Sequence, residues 1–417
     1  MSWTAARVRF ADVLAVQRAL DCPEPVAWAL VRRGLGDPDA AREFLAADGP
    51  LEPPEALPGI AEAADRLALA VRRGEPVVVH GDYDCDGVCS TAILVRALEG
   101  RGGRVSAFLP SRFTDGYGVS VATVERLADE GCRLLVCVDC GTTAVEPLAL
   151  DAVVADHHLA AGLRPRAIIA NPALGQGSEA AACAAGVVYR LVQALAARLD
   201  GDGLAPDPEE GLDLVALATV ADQVPLLGDN RRLVARGLRR IREGGRVGLV
   251  ALCRAAGIPP RAVTARSLAF SLGPAVNAAG RLTHAGRALD LMLATHPDEA
   301  DVLARELWAL NVERREVEQR VTAEAVAIVE AEPPERRDAA ALVVAGQGWH
   351  EGVVGIVASR MVERFGRPAI VIAHDGEHAK GSGRSLPGVD LHALVGSACG
   401  RLTRWGGHAG AVGVQLA

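Results

Sequence analysis

The chain has 417 residues, of which 50% are hydrophobic, 23% charged and 3% aromatic. This balance is typical of a folded globular protein of two or three domains and excludes a disordered or low-complexity chain. With 44 Lys and Arg against 52 Asp and Glu, the net charge is −8. That acidic total argues against coating nucleic acid by bulk charge, but it allows a local arginine-lined groove. The low aromatic content predicts that base-stacking surfaces are scarce.

Targeting and membrane signals are not found in the sequence. Polar and charged residues interrupt the first twenty positions, which lack the apolar centre of a signal peptide. No stretch reaches the ~18 uncharged apolar residues that a membrane helix needs. Nine cysteines, many of them inside apolar runs, indicate reduced thiols in a cytoplasmic protein. Cys137 and Cys140 form a C-x-x-C pair, which we interpret as buried thiols because no second pair follows at zinc-ribbon spacing.

The first part of the chain predicts helices and then a parallel sheet. Residues 1–58 predict a small helical N-terminal region that ends in a proline-rich stretch. From Glu75, short apolar runs alternate with amphipathic segments, which is typical of a parallel sheet with helices on both faces. The predicted strands are Val77–Val79, Val105–Leu109, Leu134–Val138, Ala152–Ala155 and Ala167–Ala170. The predicted helices are Ser90–Glu99, Val121–Glu130, Ala180–Leu199 and Leu212–Val220.

The second part predicts one long helix and a smaller α/β domain. Residues 301–332 contain neither Gly nor Pro, and their apolar residues recur at helical spacing, which predicts a connecting helix. In residues 333–417, the segments Ala340–Ala345 and Ala369–Ala373 predict strands around a helix at Gly352–Phe365. The predicted fold class is therefore α/β, with a parallel-sheet catalytic domain at 59–300, a smaller domain at 333–417 and a cleft between them.

An acidic loop after the first predicted strand is the strongest local signal. His80, Asp82, Asp84 and Asp86 lie within seven residues, and carboxylates this close repel one another unless a cation neutralises them. A calcium loop of the EF-hand type is disfavoured because Ile93 stands where that loop requires glutamate. We therefore favour a magnesium or transition-metal site over a calcium loop or a solvated acidic turn.

Two further predicted strands end in the same residue types. Asp139 follows one of them, and Asp156, His157 and His158 follow the next. The carboxyl ends of neighbouring parallel strands converge on one crevice, so these side chains are expected to meet there. Asp222, after a predicted apolar helix, adds another carboxylate. Such a set suits two Mn²⁺ or Mg²⁺ ions that share a carboxylate, an arrangement used for in-line attack on phosphate esters.

These motifs resemble the DHH phosphoesterase superfamily and, within it, the RecJ-like single-stranded-DNA-specific exonucleases, over nearly the whole chain. Further segments share the resemblance, and the last four of them resemble the substrate-holding DHHA1 domain. They are Pro110-Ser111-Arg112, Gly116-Tyr117-Gly118, Asn171-Pro172, Ala221-Asp222 through Pro225, Asp229-Asn230-Arg231, Asn277 through Arg281, Trp349 through Gly352, Gly355 through Ala358, Gly381 through Ser385, and Gly406-Gly407-His408.

The resemblance implies roles at the metal centre. One ion would be held by His80, Asp84 and Asp139, and the other by Asp86, Asp139, His157 and Asp222. Asp139 would bridge the two ions, and His158 would lie beside the scissile phosphate. Asp82 and Asp156 would not bind metal but would orient the loop and a ligand imidazole.

The resemblance also implies phosphate-binding residues. Those from the catalytic domain would be Arg112, Asn277 and Arg281, and those from the second domain His350, Ser382, Arg384 and His408. Arg281 would act in catalysis together with Asp139 and His158. The glycine-rich tracts of the second domain would present backbone N–H groups to phosphate.

The implied function is two-metal, 5′-to-3′ hydrolysis of single-stranded DNA to 5′-mononucleotides in DNA repair and recombination. A single-stranded-DNA-binding protein and a recombination helicase would be partners. A phosphodiesterase or phosphatase for short oligonucleotides, bisphosphate nucleotides or cyclic dinucleotides stays open as an alternative. An inactive scaffold would require loss of motif aspartates, and none is lost. Because Ala417 follows His408 without a further oligonucleotide-binding fold, we expect weak strand binding and distributive cutting.

Overall fold

The computed structural model describes residues 7–116, 118–143, 150–159, 165–175, 182–199, 207 and 209–416. The chain divides into two compact units. Unit 1 comprises Met1–Pro110, Asp115–Pro274 and Leu289–Asp301, and unit 2 comprises Ser111–Thr114, Ala275–Ala288 and Val302–Ala417. Among the helices of the described ranges, none has both the length and the apolar character needed to cross a membrane.

The N-terminal part of the chain is helical. Within residues 7–58 it forms α1 (Phe10–Leu20), α2 (Glu24–Arg32), α3 (Pro38–Ala46) and a short 3₁₀ turn at Pro54–Ala56, and α4 (Ile60–Arg73) follows. Asp37 begins α3 because its carboxylate accepts from the N–H groups of Asp39 and Ala40, each at 2.9 Å. The first three helices bury Val13, Val16 and neighbouring side chains in a small core of their own.

Unit 1 is built on the predicted parallel sheet. Its strands are β1 (Val77–His80), β2 (Val105–Phe108), β3 (Leu134–Val138), β4 (Asp151–Ala155) and β5 (Ile168–Ala170). The strand order is β2-β1-β3-β4-β5, with every pair parallel. β1 and β3 are buried along their whole length, which explains their uninterrupted apolar sequences. The connection from β1 leads to β2 on one side of it, and the chain then crosses to β3 on the other side. Ligands of such a sheet bind at this change of direction, in the crevice between the carboxyl ends of β1 and β3.

Helices cover this sheet and extend unit 1. They are α5 (Cys85–Glu99), α6 (Val121–Asp129), α7 (Ala184–Leu199), α8 (Leu212–Ala221), α9 (Gly228–Arg242), α10 (Val247–Ala255), α11 (Ala265–Ser267) and a π turn at Leu268–Leu272, with 3₁₀ turns at Pro172–Leu174 and Pro260–Ala262. Two helices follow, α12 (Gly273–Leu282) and α13 (Gly286–Leu293), and residues 275–288 of this stretch belong to unit 2. α5 begins well before the predicted start at Ser90, since the acidic loop itself forms its first turn.

Arginines of α7 and α9 join the N-terminal helices to the rest of unit 1. Asp229 forms a buried ion pair with Arg190 and a second ion pair with Arg232. Arg231 donates to the carbonyl oxygen of Phe44, and its guanidinium lies 3.8 Å from the centre of that ring. The Asp229-Asn230-Arg231 segment therefore has a structural use in addition to its resemblance to a family motif.

Unit 2 contains a mixed sheet. Its elements are α14 (Pro297–Ala331, of which the first turn belongs to unit 1), α15 (Pro334–Arg337), β6 (Leu342–Gln347), α16 (Val354–Phe365), β7 (Ala369–His374), β8 (Ala379–Arg384), α17 (Leu391–Ser397), a 3₁₀ turn at Cys399–Arg401, β9 (Arg404–His408) and β10 (Ala411–Leu416). The strand order is β6-β7-β8-β10-β9, and only β6 and β7 run parallel. The long helix has 35 residues and starts earlier than predicted, because Pro297 occupies its first position.

The prediction that glycine-rich tracts offer backbone N–H groups to phosphate is wrong for Gly381 through Arg384. These residues form β8, which pairs with β7 on one edge and β10 on the other, so the sheet uses their backbone groups. The glycines of β8 are needed for packing instead, because side chains of neighbouring elements occupy the space that a Cβ would take. A Cβ on Gly383 would lie 2.7 Å from a Val412 methyl and 2.8 Å from a Leu391 methyl.

We predict that Gly237→Ala destabilises unit 1. A Cβ on Gly237 would lie 2.1 Å from the carbonyl oxygen of Leu212, where α9 crosses α8, so the helices must separate. Overpacking of this kind costs about 1–3 kcal/mol, measurable by urea denaturation. Gly186→Ala on α7 is the matched control, because its Cβ would meet nothing closer than 3.7 Å and should be neutral or slightly stabilising. Equal losses in the two variants would contradict the close helix crossing.

Candidate metal centre and anion-binding residues

The acidic loop is shaped by close backbone packing between β1 and α5. Asp84 begins α5, with its carboxylate accepting from the N–H groups of Asp86 at 2.9 Å and Gly87 at 3.1 Å. A Cβ on Gly87 would lie 2.5 Å from the carbonyl oxygen of Asp82, so only glycine fits there. The loop therefore holds three aspartates at the carboxyl end of β1.

Asp86 is fixed by a helix that is distant in sequence. Its two carboxylate oxygens accept from the N–H groups of Ala184 at 2.7 Å and Ala185 at 2.8 Å, at the start of α7. The N-terminus of a helix carries partial positive charge and favours a carboxylate. Asp86 is nevertheless only 2% exposed, so its negative charge is shielded very little by solvent.

Asp139 follows β3 in an unusual backbone conformation. Its φ is +60°, a left-handed value that costs a residue other than glycine about 1–2 kcal/mol. The carbonyl oxygen of Ala155 accepts from its backbone N–H at 3.1 Å. Asp139 is 3% exposed, and this conformation presents its carboxylate at the carboxyl edge of the sheet. Strain held in a buried carboxylate of this kind is a common mark of a functional site.

His157 brings three carboxylates together. Its Nε2 atom lies 3.3 Å from Oδ1 of Asp139 and 3.8 Å from Oδ2 of Asp86, while its Nδ1 atom lies 3.8 Å from Oδ2 of Asp222. Asp86 lies in the first turn of α5, and the other three residues follow β3, β4 and α8, so the structure brings these side chains together at one edge of the sheet. Loose spacings of this size leave room for a cation between the ligand atoms.

Asp156 anchors the turn that carries the two histidines. Its Oδ1 accepts from Nδ1 of His158 and from the backbone N–H of His157, each at 2.7 Å, and its Oδ2 accepts from the N–H of Thr142 at 3.0 Å. Burial would raise the pKa of Asp156, but His158 and Thr142 hold it well below its ordinary value. Burial would lower the pKa of His158, but Asp156 raises it. His158 is therefore an oriented, positively polarised ring at the rim of the site.

Thr142 and Asn171 support this turn and were not among the candidate residues derived from the sequence. Asn171 Nδ2 donates to Oγ1 of Thr142 at 3.0 Å and to the carbonyl oxygen of His158 at 2.9 Å. Asn171 belonged to a family-like segment, whereas Thr142 had no signal beyond its place after Asp139-Cys140-Gly141.

His80 is fully buried at the end of β1. Its Nδ1 lies 3.6 Å from Sγ of Cys140, and no residue of the described ranges hydrogen-bonds its Nε2. Burial lowers the pKa of His80 to about 4, so the ring is neutral at physiological pH. A neutral imidazole with a buried nitrogen lacking a partner is suited to metal ligation.

The electrostatics of the carboxylates call for a cation. Burial first, and then the neighbouring aspartates, raise the pKa of Asp139 well above its ordinary value, raise that of Asp86, and raise that of Asp222 to about 7. Three groups of side chains each offer ligand atoms that lie within 4.8 Å of one another. They are Asp82, Asp84 and Asp139; Asp86, His157 and Asp222; and Asp139, Asp156, His157 and His158.

This donor set of carboxylates and imidazoles fits Mn²⁺ or Mg²⁺. The family resemblance implied His80, Asp84 and Asp139 as the ligands of one ion. Within the described residues, His80 belongs to none of the three groups, and the group with Asp84 and Asp139 contains Asp82.

The predicted phosphate-binding residues of unit 2 lie on adjoining segments. Arg112 Nε donates to the carbonyl oxygen of Gly280, and Arg281 Nη1 donates to that of Gly352, each at 3.3 Å. A Cβ on Gly352 would lie 1.9 Å from the Arg281 carbonyl oxygen, so this backbone approach requires glycine. Asn277 precedes Arg281 by one turn of α12 and lies on the same side of that helix.

Ser382 and Arg384 lie on one face of β8. Arg384 Nη1 donates at 2.8 Å to both Oγ of Ser382 and the carbonyl oxygen of Gly383. In the part of the chain that is described, no carboxylate pairs with Arg384, and burial together with the charge of Arg112 lowers its pKa. Two guanidinium groups that repel each other form a favourable site for an anion such as phosphate.

The two predicted histidines of unit 2 differ in setting. His350 is half-buried, and its Nδ1 accepts from the N–H of Gly352 at 3.1 Å. His408 is exposed at the end of the edge strand β9, and its Nδ1 accepts from the N–H of Gly410 at 3.2 Å. Tyr117, in one of the family-like segments, lies outside the described residues.

Comparison with known families agrees with this architecture. Residues 76–219 match the model of the DHH family N-terminal domain, and residues 338–417 match that of the DHHA1 domain. A parallel sheet with aspartates and histidines at its carboxyl edge, followed by a DHHA1 domain, places the chain in the class of DHH phosphoesterases.

Similar proteins narrow the class further. The single-stranded-DNA-specific exonuclease RecJ of Salmonella typhimurium is 39% identical over 90% of this chain and 70% of its own length. The crystal structure of RecJ from Thermus thermophilus with Mn²⁺ superimposes with a TM-score of 0.83 and 35% identity, over 98% of this chain and 59% of that one. The chain therefore belongs to the RecJ family. RecJ of Bacillus subtilis is 36% identical over the whole chain, which spans about half, 53%, of that relative's length.

We predict that Asp222→Asn stabilises the metal-free protein at alkaline pH. Folding raises the pKa of Asp222 to about 7, so between pH ~4 and ~7 the folded state keeps a proton that the unfolded state has lost. The free energy of unfolding therefore falls as pH rises through this range. In EDTA the variant should match wild type at pH 4 and exceed it at pH 8, by roughly 1–3 kcal/mol in urea denaturation because solvent screens this partly exposed carboxylate.

Added Mn²⁺ should invert the order at pH 8, because the carboxylate then contributes to binding the ion. If the variant were less stable than wild type in EDTA at both pH values, Asp222 would not experience the proposed repulsion.

Proposed function

We propose that this protein is a metal-dependent exonuclease that hydrolyses single-stranded DNA from the 5′ end and releases 5′-mononucleotides. The observation that supports it most is the convergence of Asp86, Asp139, His157 and Asp222 at the carboxyl edge of the unit 1 sheet. The RecJ relatives named single-stranded-DNA-specific exonucleases supply the substrate class and the reaction type. Roles in DNA repair and recombination belong to the same proposal.

The metal of the proposal is Mn²⁺ or Mg²⁺, as two ions. Relatives have been crystallised with each of these metals. Asp139 would be shared between the ions, with Asp84 and His80 or Asp82 on one side and Asp86, His157 and Asp222 on the other. The ions would lower the pKa of a bound water and offset the charge of the attacked phosphate.

The side chains of the site then have distinct tasks. His158, held by Asp156, would donate a hydrogen bond from its ring to a phosphate oxygen and counter the charge that develops there. Asp156 and Thr142 keep that ring in place. The paired guanidinium groups of Arg112 and Arg384, with Arg281, Asn277, Ser382, His350 and His408, would bind the phosphates of the strand, since a guanidinium matches two phosphate oxygens at once.

The domain limits and partners are also proposals. A helical N-terminal region at 1–58, a DHH catalytic domain at 59–300, a connecting helix at 301–332 and a DHHA1-type domain at 333–417 form the proposed organisation. A single-stranded-DNA-binding protein and a recombination helicase are the proposed protein partners, in the cytoplasm.

We predict that Asp139→Ala abolishes turnover and that His158→Ala reduces it while keeping the metal. Loss of the shared carboxylate should lower Mn²⁺ binding in calorimetry, whereas loss of one hydrogen-bond donor should cost roughly 10²-fold in kcat. Asp129→Ala, at the exposed end of α6, is the control and should behave as wild type. Activity of Asp139→Ala within tenfold of wild type would remove Asp139 from the bridging role. Metal loss in His158→Ala would mean that the two histidines have exchanged roles.

Digestion of end-labelled substrates tests the reaction itself. With Mn²⁺, a 3′-labelled single strand should shorten stepwise, while a 5′-labelled strand should release labelled mononucleotide at once. A blunt duplex of the same sequence should resist. Hydrolysis of a dinucleotide or a cyclic dinucleotide alone, with no action on the long strand, would favour the phosphodiesterase alternative and overturn the exonuclease proposal.

A further inference from the structure

A cavity of about 620 Å³ opens within unit 2, beside the hairpin of β7 and β8. Its walls come from Phe113, the loop at 348–351 and the hairpin residues 373–380, with Leu282 between them. The volume falls within the ~300–1,000 Å³ typical of small-ligand sites. Of the residues that the phosphate-binding proposal uses, the lining contains only His350.

Aromatic and imidazole rings are concentrated around this cavity. Phe113 and Trp349 line it, together with the imidazoles of His350, His374 and His378. The rings of Phe113 and His350 meet edge to face, with centres 5.8 Å apart and planes at 89°. A flat ligand with a π-face can stack on such rings.

The charges around the cavity disfavour a phosphate. Nζ of Lys380 lies 2.8 Å from Oε2 of Glu351, so these two charges largely cancel. Asp375 adds a second carboxylate, which the N–H groups of Glu377 and His378 fix in place. With one ammonium against two carboxylates, a phosphate group would be repelled, whereas the donors and acceptors suit the polar edge of a neutral heterocycle.

Residues proposed to bind phosphate are next to residues that line the cavity. Arg112 precedes Phe113, and Arg281 precedes Leu282. Side chains alternate between the faces of a strand, so Lys380 lies on the same face of β8 as Ser382 and Arg384. A strand whose phosphates lie on these arginines would therefore have a base within reach of the rings.

We propose that the cavity is a nucleobase subsite, which takes one unpaired base of the single strand whose phosphates the arginines bind. The proposal rests on the proposed function and extends it. A base can enter the cavity only after leaving the stack and its pairing partner, so this subsite would favour single strands over duplexes. Stacking on rings tolerates every base, and little sequence preference should follow.

Abasic substitution tests the subsite. A set of otherwise identical oligonucleotides carries one tetrahydrofuran spacer, moved one position at a time from the 5′ end. Binding is measured by fluorescence anisotropy in EDTA, and KM and kcat are measured with Mn²⁺. Wild type should show one position where loss of the base weakens binding by roughly 5- to 150-fold, as expected for one stacked base. No position with such a loss would overturn the subsite.

Two variants assign that loss to the cavity. Phe113→Leu keeps the apolar bulk without the ring, and His378→Ala removes the imidazole of an exposed residue of the hairpin. Each should bind the unmodified strand less tightly and lose much of the penalty at that one position. Phe10→Leu, an exposed ring of the N-terminal region, is the matched control and should keep the full penalty. An unchanged penalty in both cavity variants would overturn the proposal.

The two proposals fail in distinguishable ways. If wild type binds the unmodified strand but never shortens it with Mn²⁺, the exonuclease proposal falls, and the anisotropy data still decide the subsite. If wild type digests the strand and shows no position-dependent loss, only the subsite falls.

Discussion

The repulsion among buried carboxylates at one edge of a parallel sheet is the constraint on which the rest of unit 1 depends. Asp86 and Asp139 are almost completely buried, and neighbouring aspartates raise the pKa of each in addition to the effect of its own burial. A sequence selected only for the stability of the metal-free protein would place these carboxylates apart or have other residues at these positions. Their persistence in one crevice is explained if a divalent cation supplies the missing charge, and the arrangement then provides the affinity for that ion.

The scaffold holds these groups together by means that do not depend on the metal. The first turn of α7 donates two N–H groups to Asp86, the left-handed backbone at Asp139 fixes the direction of its carboxylate, and Asp156 orients both histidines. Each device lies on the end of a strand or helix whose body is in the core. The side chains proposed as ligands are therefore preorganised, and metal binding would have little conformational entropy to offset.

The sequence predicted the parts of this arrangement that depend on local pattern. Uninterrupted apolar runs identified the parallel strands, and residues just after those runs could be placed at one edge by topology alone. The hydrogen bonds from α7 to Asp86 were not predictable, because they join residues far apart in the chain. β8 was missed because Gly381 and Gly383 carry no side chains to show strand alternation, and the reason for them lies in the packing of Val412 and Leu391. The low aromatic content also could not show where the few rings lie, since Phe113 and Trp349 line one cavity together with three imidazoles that this content does not count.

Metal and substrate binding are coupled by the same electrostatics. Without the cation, the carboxylates around His157 would repel a phosphate group approaching His158, so the metal-free site should have little affinity for the reacting end of a strand. Thermodynamic linkage makes this coupling reciprocal: a strand that binds the loaded site better must tighten the metal by the same factor. On the proposed function, the carboxylates would therefore do more than hold the ions. They would make phosphate binding at the reactive position conditional on metal occupancy, while the proposed arginine contacts elsewhere in the chain would bind a strand without it.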